Sequence, residues 1–264
     1  MKIRNSSFII SIGLKVIPIW RVENSMKLDY SNMIRLKLLR ELKNGKYAAC
    51  ARLPRETVLA EELEISRNHL RDVLAQLERE GFITRIHGVG TIINRHVLKV
   101  NYRMDIEIEF FDIIRQNGYQ PGISMIHIQE MQADSEVAEK LQVPESTEVI
   151  CVSRVCTADG KPAIYCEDIL KKNLVKEAYE ESDFEFPIFH FLKKRCYVDS
   201  YLDLTEIHPV LADEEISKLL EVSVGSPLLN MKEIDYDIDG TVIFYSRQYF
   251  VDEFFSHTVM RKNL

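Results

Sequence analysis

The residues best suited to recognition chemistry sit in one stretch, SRNHLRDVLAQLEREGFITRIHGVGTII (66–93). Arginine can pair bidentately with guanine and asparagine with adenine, and both also bond phosphate. Here Arg67, Asn68 and Arg71 crowd the start of an apolar-periodic run. Leu70, Val73, Leu74 and Leu77 follow the i, i+3, i+4, i+7 pattern, which predicts a helix with one apolar face. Ser66 is placed to cap that helix, and Gly81 to end it. On a helical wheel the three donors lie away from the apolar face, beside backbone amides that favour an anionic phosphate. Next come FITRI and TIINR, two β-type runs around HGVG, which predict a hairpin. Gly88 and Gly90 leave its tip without bulky side chains, so the backbone can approach a duplex, with Arg85 and His87 beside it.

Such donors read DNA only if other elements hold them. Ile34, Leu38, Leu39 and Leu42 predict an earlier helix over 32–43, closed by the Asn44-Gly45 stop signal. A short helix over about 55–63 follows Pro54, and only EIS separates it from the helix that Ser66 opens. Helix, helix, short turn, helix and hairpin is the order of a winged helix-turn-helix. Its second helix enters the major groove and its wing meets the neighbouring groove or backbone.

Charge distribution supports the same division. The net charge of −7 argues against a nucleic-acid partner, yet residues 26–96 carry 13 Lys/Arg against 9 Asp/Glu. Residues 97–264 carry 17 against 31, which predicts a different partner for that half. The expected organisation is an extension over 1–25, a DNA-binding domain over 26–95, a polar linker over 96–101 and a second domain over 102–264. The extension is read as an added strand or a floppy segment, with Met26 as an alternative start. Its apolar run, broken by Lys15 and Pro18, is too short to span a membrane and is a poor signal peptide. No other segment is apolar enough to cross a bilayer, so a soluble chain is expected.

The second domain repeats itself. ADSEVAEKLQVPESTEVICVSRVCTADGKPAIYCE (133–167) parallels ADEEISKLLEVSVGSPLLNMKEIDYDIDGTVIFYSR (212–247). Each copy predicts an acid-capped helix, a strand, an Asp-Gly turn and a second strand. The pair predicts two halves of one α+β domain on an antiparallel sheet, with a cleft between them.

Several motifs imitate sites without completing them. DYDIDG (235–240) resembles the start of a calcium loop, but Ser246 stands where the closing Glu belongs. The seven histidines show no ligand spacing, so no metal site is expected. GVG lacks the context of a dinucleotide loop, and no cofactor is expected. Cys166 adjoins Glu167 without a histidine positioned by sequence to activate it, so no catalytic residue is assigned. Five cysteines without a Cys-x-x-Cys pair point to a reducing cytoplasm rather than a disulfide framework.

The stretch ARLPRETVLAEELEISRNHLRDVLAQLEREGFITRIHGVGTII resembles the winged helix of the GntR family of bacterial transcription regulators. The resemblance is carried by LP-x-E, SR, LR, L-x-x-EG and HG-x-GT. It implies DNA contacts from Arg55, Ser66, Arg67, Asn68, Arg71, His87 and Gly90. Thr57 stands where the family usually has arginine and Arg55 where it usually has serine, so one implied DNA contact is missing at Thr57 and Arg55 is its expected replacement. LQVPESTEVICVSRV…ADGKPAIYCE and YDIDGTVIFYSRQYF resemble the UTRA effector-binding domain of the HutC branch. That resemblance implies a chorismate-lyase-like fold, a homodimer, a near-palindromic double-stranded DNA operator and a small-molecule effector. It implies an effector site built from Arg154, Tyr165, Glu167, Tyr245, Ser246, Arg247 and Tyr249. Phosphosugar binders of this branch carry a second arginine where this chain has Cys156, and tend to carry one near Phe250. An amine, an amino-acid derivative and an unphosphorylated sugar stand open as effectors. The expected function is a cytoplasmic repressor and not an enzyme, the alternative being lyase-like activity in the second domain's cleft.

Overall fold

The computed structural model describes the backbone of residues 9–12, 15–106 and 108–261, and side chains from Tyr30 onward within that span. Residues 1–8 and 13–14 of the expected extension lie outside the described residues. The chain divides into two compact units, one of residues 1–100 with 260–264 and one of Asn101–Val259.

In the first unit, β1 (Ile9–Ile12) pairs antiparallel with β2 (Lys15–Pro18), and α1 runs from Ile19 to Lys43. The helix thus starts well before the expected residue 32 and runs through the proposed boundary at residue 25. Neither Pro nor Gly stands between Ile19 and Asn32 to stop it, and Pro18 directly precedes its first turn. Its inward face buries Ile34, Leu38 and Leu42, while Leu39 is half-buried. The short helix α2 (Glu56–Glu62) leads into α3 (Arg67–Arg79). Ser66 Oγ accepts the His69 amide at 3.2 Å, satisfying one of the free donors of the first turn. The four apolar residues of α3 are at most 1% exposed.

Gly81, at φ 78°, turns the chain into β3 (Ile83–Ile86), which pairs with β4 (Gly90–Ile93). The expected linker is not merely a polar connection. It contains most of the short helix α4 (Arg95–Leu98), and Val97 and Leu98 are buried. Arg95 ties this end of the wing back, donating to the carbonyls of Leu42, Tyr47 and Cys50.

The second unit opens with α5 (Phe110–Gln116) and β5 (Pro121–Gln132). Then come α6 (Ser135–Leu141), β6 (Glu148–Ala158), β7 (Lys161–Lys171) and α7 (Ile188–Phe191). The chain continues with β8 (Leu202–Leu211), α8 (Glu214–Leu219), β9 (Pro227–Tyr236) and β10 (Val242–Val251). The six long strands form one antiparallel sheet in the order β5-β6-β7-β10-β9-β8. The two sequence repeats are its two halves, and their last strands, β7 and β10, meet at the centre.

Local details repeat with the strands. Asp134 caps α6 and Asp213 caps α8 through their side-chain oxygens. Gln142 and Glu221 each end a helix with positive φ, at 54° and 55°. On one sheet face α6 packs Val137 and Leu141 against Val149, Cys151, Ile169 and Tyr245. On the other, Phe184, Ile188, Phe191 and Leu192 cover Ile150, Val152, Leu170 and Phe244.

Because α3 seats its leucines in a closed core, Leu74→Ala leaves a cavity rather than a free surface. A cost of about 2–5 kcal/mol is expected, read as a lower urea midpoint with an unchanged slope.

Candidate DNA-reading helix and effector cavity

The donor end of α3 is open to solvent. Ser66, Arg67, Asn68 and Arg71 are exposed at its first turns, opposite the buried leucines. Arg71 is not a bare charge: its Nε lies 3.0 Å from Glu56 Oε2 in the first turn of α2. With a side chain 65% exposed, that pair is a weak surface one that a phosphate or guanine can displace. Arg55 is exposed at the N-cap position of α2, and Thr57 is half-buried two residues on.

At the wing tip His87, Gly88, Val89 and Gly90 are all exposed. Gly90 sits at φ 109° with nothing near the position a Cβ would take, so backbone conformation requires glycine there. Arg85 is occupied, its backbone amide and Nε both donating to the Glu78 carboxylate at 2.7 Å. The sequence reading missed Arg52. Its Nη1 donates to the Val89 carbonyl at 3.1 Å and so steadies the wing from outside the hairpin. Its place depends on a single bridge between Arg52 and Ile92, which no local motif signals.

In the second unit a cavity of about 470 Å³ lies against one face of the sheet. Phe110, Phe111, Phe189 and Phe244 give it aromatic walls. Arg154 from β6 and Asp168 from β7 line it, bonded Nη2 to Oδ2 at 2.6 Å, with side chains 4% and 2% exposed. Arg154 Nη1 also donates to the Phe186 carbonyl at 3.0 Å, and Ser246 Oγ donates to Asp168 Oδ1 at 2.8 Å. Gln248 Nε2 donates to Ser246 Oγ at 3.3 Å and to Glu233 Oε2 at 3.2 Å. Glu233 and Gln248 occupy, in β9 and β10, the positions that Arg154 and Asp168 occupy in β6 and β7. One repeat therefore presents Arg with Asp, and the other Glu with Gln.

Of the seven residues expected at the effector site, only Arg154 lines this cavity, with Ser246 behind it on Asp168. Tyr165, Glu167, Tyr245, Arg247 and Tyr249 belong to a second polar cluster on the opposite sheet face, roofed by α6. Glu167 accepts from Tyr165 at 3.0 Å and lies 2.9 Å from Arg247 Nε. Glu136 of α6 accepts from Tyr245 at 3.0 Å and from Lys232 at 2.7 Å. Tyr165 and Tyr249 stack with centroids 6.0 Å apart.

Arg154 and Glu167, expected in one effector site, thus lie on opposite faces of the sheet, and the acid that faces Arg154 is Asp168. Arg154 stands opposite Cys166, so its same-face diagonal neighbour is Asp168, whereas Glu167 stands opposite Ser153. Two adjacent acids look alike in a sequence, and only strand register says which one faces the arginine.

Two carboxyls of this unit are pushed up to about 7. For Glu109, on the cavity wall, the main cause is burial; Asp112 and Asp168 add to it and Arg154 opposes it. For Asp235 burial again dominates, the Ser200 hydroxyl opposing and Asp203 adding.

Residues 30–93 match the family described as "Bacterial regulatory proteins, gntR family", and residues 116–256 match the UTRA domain. This chain is a GntR-family regulator with a UTRA domain. It is 28% identical over 235 residues to the uncharacterized HTH-type transcriptional regulator RB1450 of Rhizobium meliloti (strain 1021), covering 87% of this chain and 93% of that protein. It is 25% identical over 225 residues to the HTH-type transcriptional repressor NagR of Bacillus subtilis (strain 168), covering 85% and 90%. The crystal structure of the possible transcriptional regulator YydK from Bacillus subtilis is similar in fold, with a TM-score of 0.70 at 19% identity, covering 88% of this chain and 99% of that one. A winged helix-turn-helix followed by an α+β UTRA domain on an antiparallel sheet is therefore the architecture of this regulator.

The raised carboxyls fix a sign for stability against pH. Each binds its proton more tightly folded than unfolded, so its contribution is full below the unfolded value and fades as pH rises toward 7. Melting temperature should accordingly fall more between pH 5 and pH 7.5 in the wild type than in a Glu109→Gln, Asp235→Asn double variant.

Proposed function

We propose that this regulator is a cytoplasmic, dimeric repressor whose operator affinity is set by a small molecule bound in the second unit's cavity. The observation that carries the reading is the exposed donor end of α3, built on a buried core and followed by an open wing. In this reading Arg67 and Asn68 meet base edges in the major groove. Arg71 exchanges Glu56 for the DNA, and Arg55 contacts phosphate from the start of α2. The wing, with His87 and the backbone around Gly90, lies along the neighbouring groove.

Repression is the role named for NagR, one of the relatives in this family. Among the described residues no helix is long and apolar enough to cross a membrane, which fits a regulator that works at DNA.

The edge of the sheet supports reading the protein as a dimer on a near-palindromic site. β8 is an outermost strand, and Leu202, Leu204, Ile207 and Leu211 stand exposed along it. An unpaired edge with apolar side chains is a template for a second copy, and a two-fold pair meets two half-sites. The cavity is read as a binding site and not a reaction site, because its one guanidinium is already held by Asp168 and the Phe186 carbonyl.

Two experiments test this. On an operator selected from random duplexes, Arg67→Ala should cost roughly 1–3 kcal/mol of binding at fixed salt if it contacts a base. Unchanged affinity and sequence preference would remove α3 from the interface. Placing lysine at positions 204 and 207 (Leu204→Lys, Ile207→Lys) should convert a dimer to a monomer by light scattering and weaken operator binding. An unaffected dimer would place the interface elsewhere.

A further inference from the structure

We propose that the cavity of the second unit is built for a small organic cation, a protonated primary amine carrying an apolar body. The proposal rests on reading that cavity as the effector site. Five carboxylates line it, Asp105, Glu109, Asp168, Asp203 and Glu233, against a single guanidinium, Arg154. That guanidinium is already neutralised by Asp168, so an anionic ligand would enter against a surplus of negative charge. Asp105 in turn is paired with Arg103. Glu109 and Asp203 form no ion pair with a lysine or arginine among the described residues.

Burial makes Glu109 a reluctant anion, and an ammonium beside it would supply the compensating charge that the wall lacks. The groups whose charges act on it are Arg154, Asp112 and Asp168. The apolar part of the ligand would meet Phe110, Phe111, Phe189 and Phe244, whose ring faces also attract a cation. Cys156, which lines the cavity, adds no charge of its own at neutral pH, because burial pushes its thiol up to about 11.

The guanidinium itself offers an anion little: Arg154 is 3% exposed, its Nη1 and Nη2 are taken by the Phe186 carbonyl and Asp168, and its Nε is shut off from the cavity.

The test uses the full-length protein with three primary amines, phenethylamine, tyramine and phenylalaninamide. 2-Phenylethanol serves as a neutral counterpart, and phenylacetate and glucose 6-phosphate as anions. Melting temperature, binding by calorimetry and operator affinity are read for each. At least one amine should raise the melting temperature and change operator affinity, binding at least tenfold more tightly than 2-phenylethanol. Glu109→Gln and Asp203→Asn should each weaken that amine at least tenfold and leave the alcohol unchanged, a split that mere loss of folding would not produce. Amine binding should also weaken as pH falls below 7, where Glu109 takes up its proton. If phenylacetate or glucose 6-phosphate binds and moves operator affinity while the amines do not, the cation preference is overturned and the effector reading stands. If no amine binds, the proposal falls, and operator binding by the ligand-free protein reports separately on the regulator reading.

Discussion

A guanidinium and a carboxylate 2.6 Å apart, with side chains 4% and 2% exposed, set the terms for the second unit. Removing two such ions from water costs several kcal/mol each, and their attraction offsets this only if their remaining hydrogen-bonding groups are also met. The neighbours meet these groups except at Arg154 Nε. The Phe186 carbonyl takes one Arg154 nitrogen, and the Ser246 hydroxyl serves the second Asp168 oxygen. Ser246 lies on β10 and Asp168 on β7, so the pair also fastens the seam where the two repeats meet. Burial works against the charge of the arginine, but its neighbours Cys166 and Asp168 outweigh that burial and hold its proton more tightly. Losing either member would strand an unpaired buried charge, a far larger penalty than the pair's own net contribution.

The internal repeat explains how one small sheet holds two unlike polar layers. Duplication makes the positions equivalent, with β6 matched to β9 and β7 to β10, while the side chains have diverged. Arg154 and Asp168 in one half answer to Glu233 and Gln248 in the other, and both pairs face the cavity. The reverse face repeats a tyrosine, Tyr165 and Tyr245, and sets Glu167 against Arg247 as neighbours across the seam. Opposite charges there face each other, with Arg247 Nε 2.9 Å from Glu167. The cavity side keeps an excess of acid.

In the first unit the same logic runs through a helix. Burial of Leu70, Val73, Leu74 and Leu77 orients α3, and its orientation presents Arg67 and Asn68 to solvent. Each buried side chain contributes roughly 1.5–3 kcal/mol to the fold, and together they hold the polar face against the freedom those long side chains would otherwise have. A ligand in the other unit can change DNA affinity only as far as it binds differently to two arrangements of the protein. Its influence therefore depends on contacts specific to one arrangement.

The α3 helix, its cap, its wing and the repeat were all legible in the amino-acid sequence, because each depends on spacing along a short segment. Heptad-like leucines, Ser66 before a helix and Asp-Gly between strands act locally. The start of α1 was misplaced because an absence of breakers is a weaker signal than a periodic apolar face. The partner of Arg154 was beyond the sequence for a different reason. Strand side chains alternate with a period of two, so a one-residue difference moves a group through the sheet to the other face. Glu167 and Asp168 are neighbours in the chain yet face opposite layers, one closed by Arg247 and the other open to the cavity. Residue types and their order determined which charges this protein has to place; long-range strand register decided which of them meet.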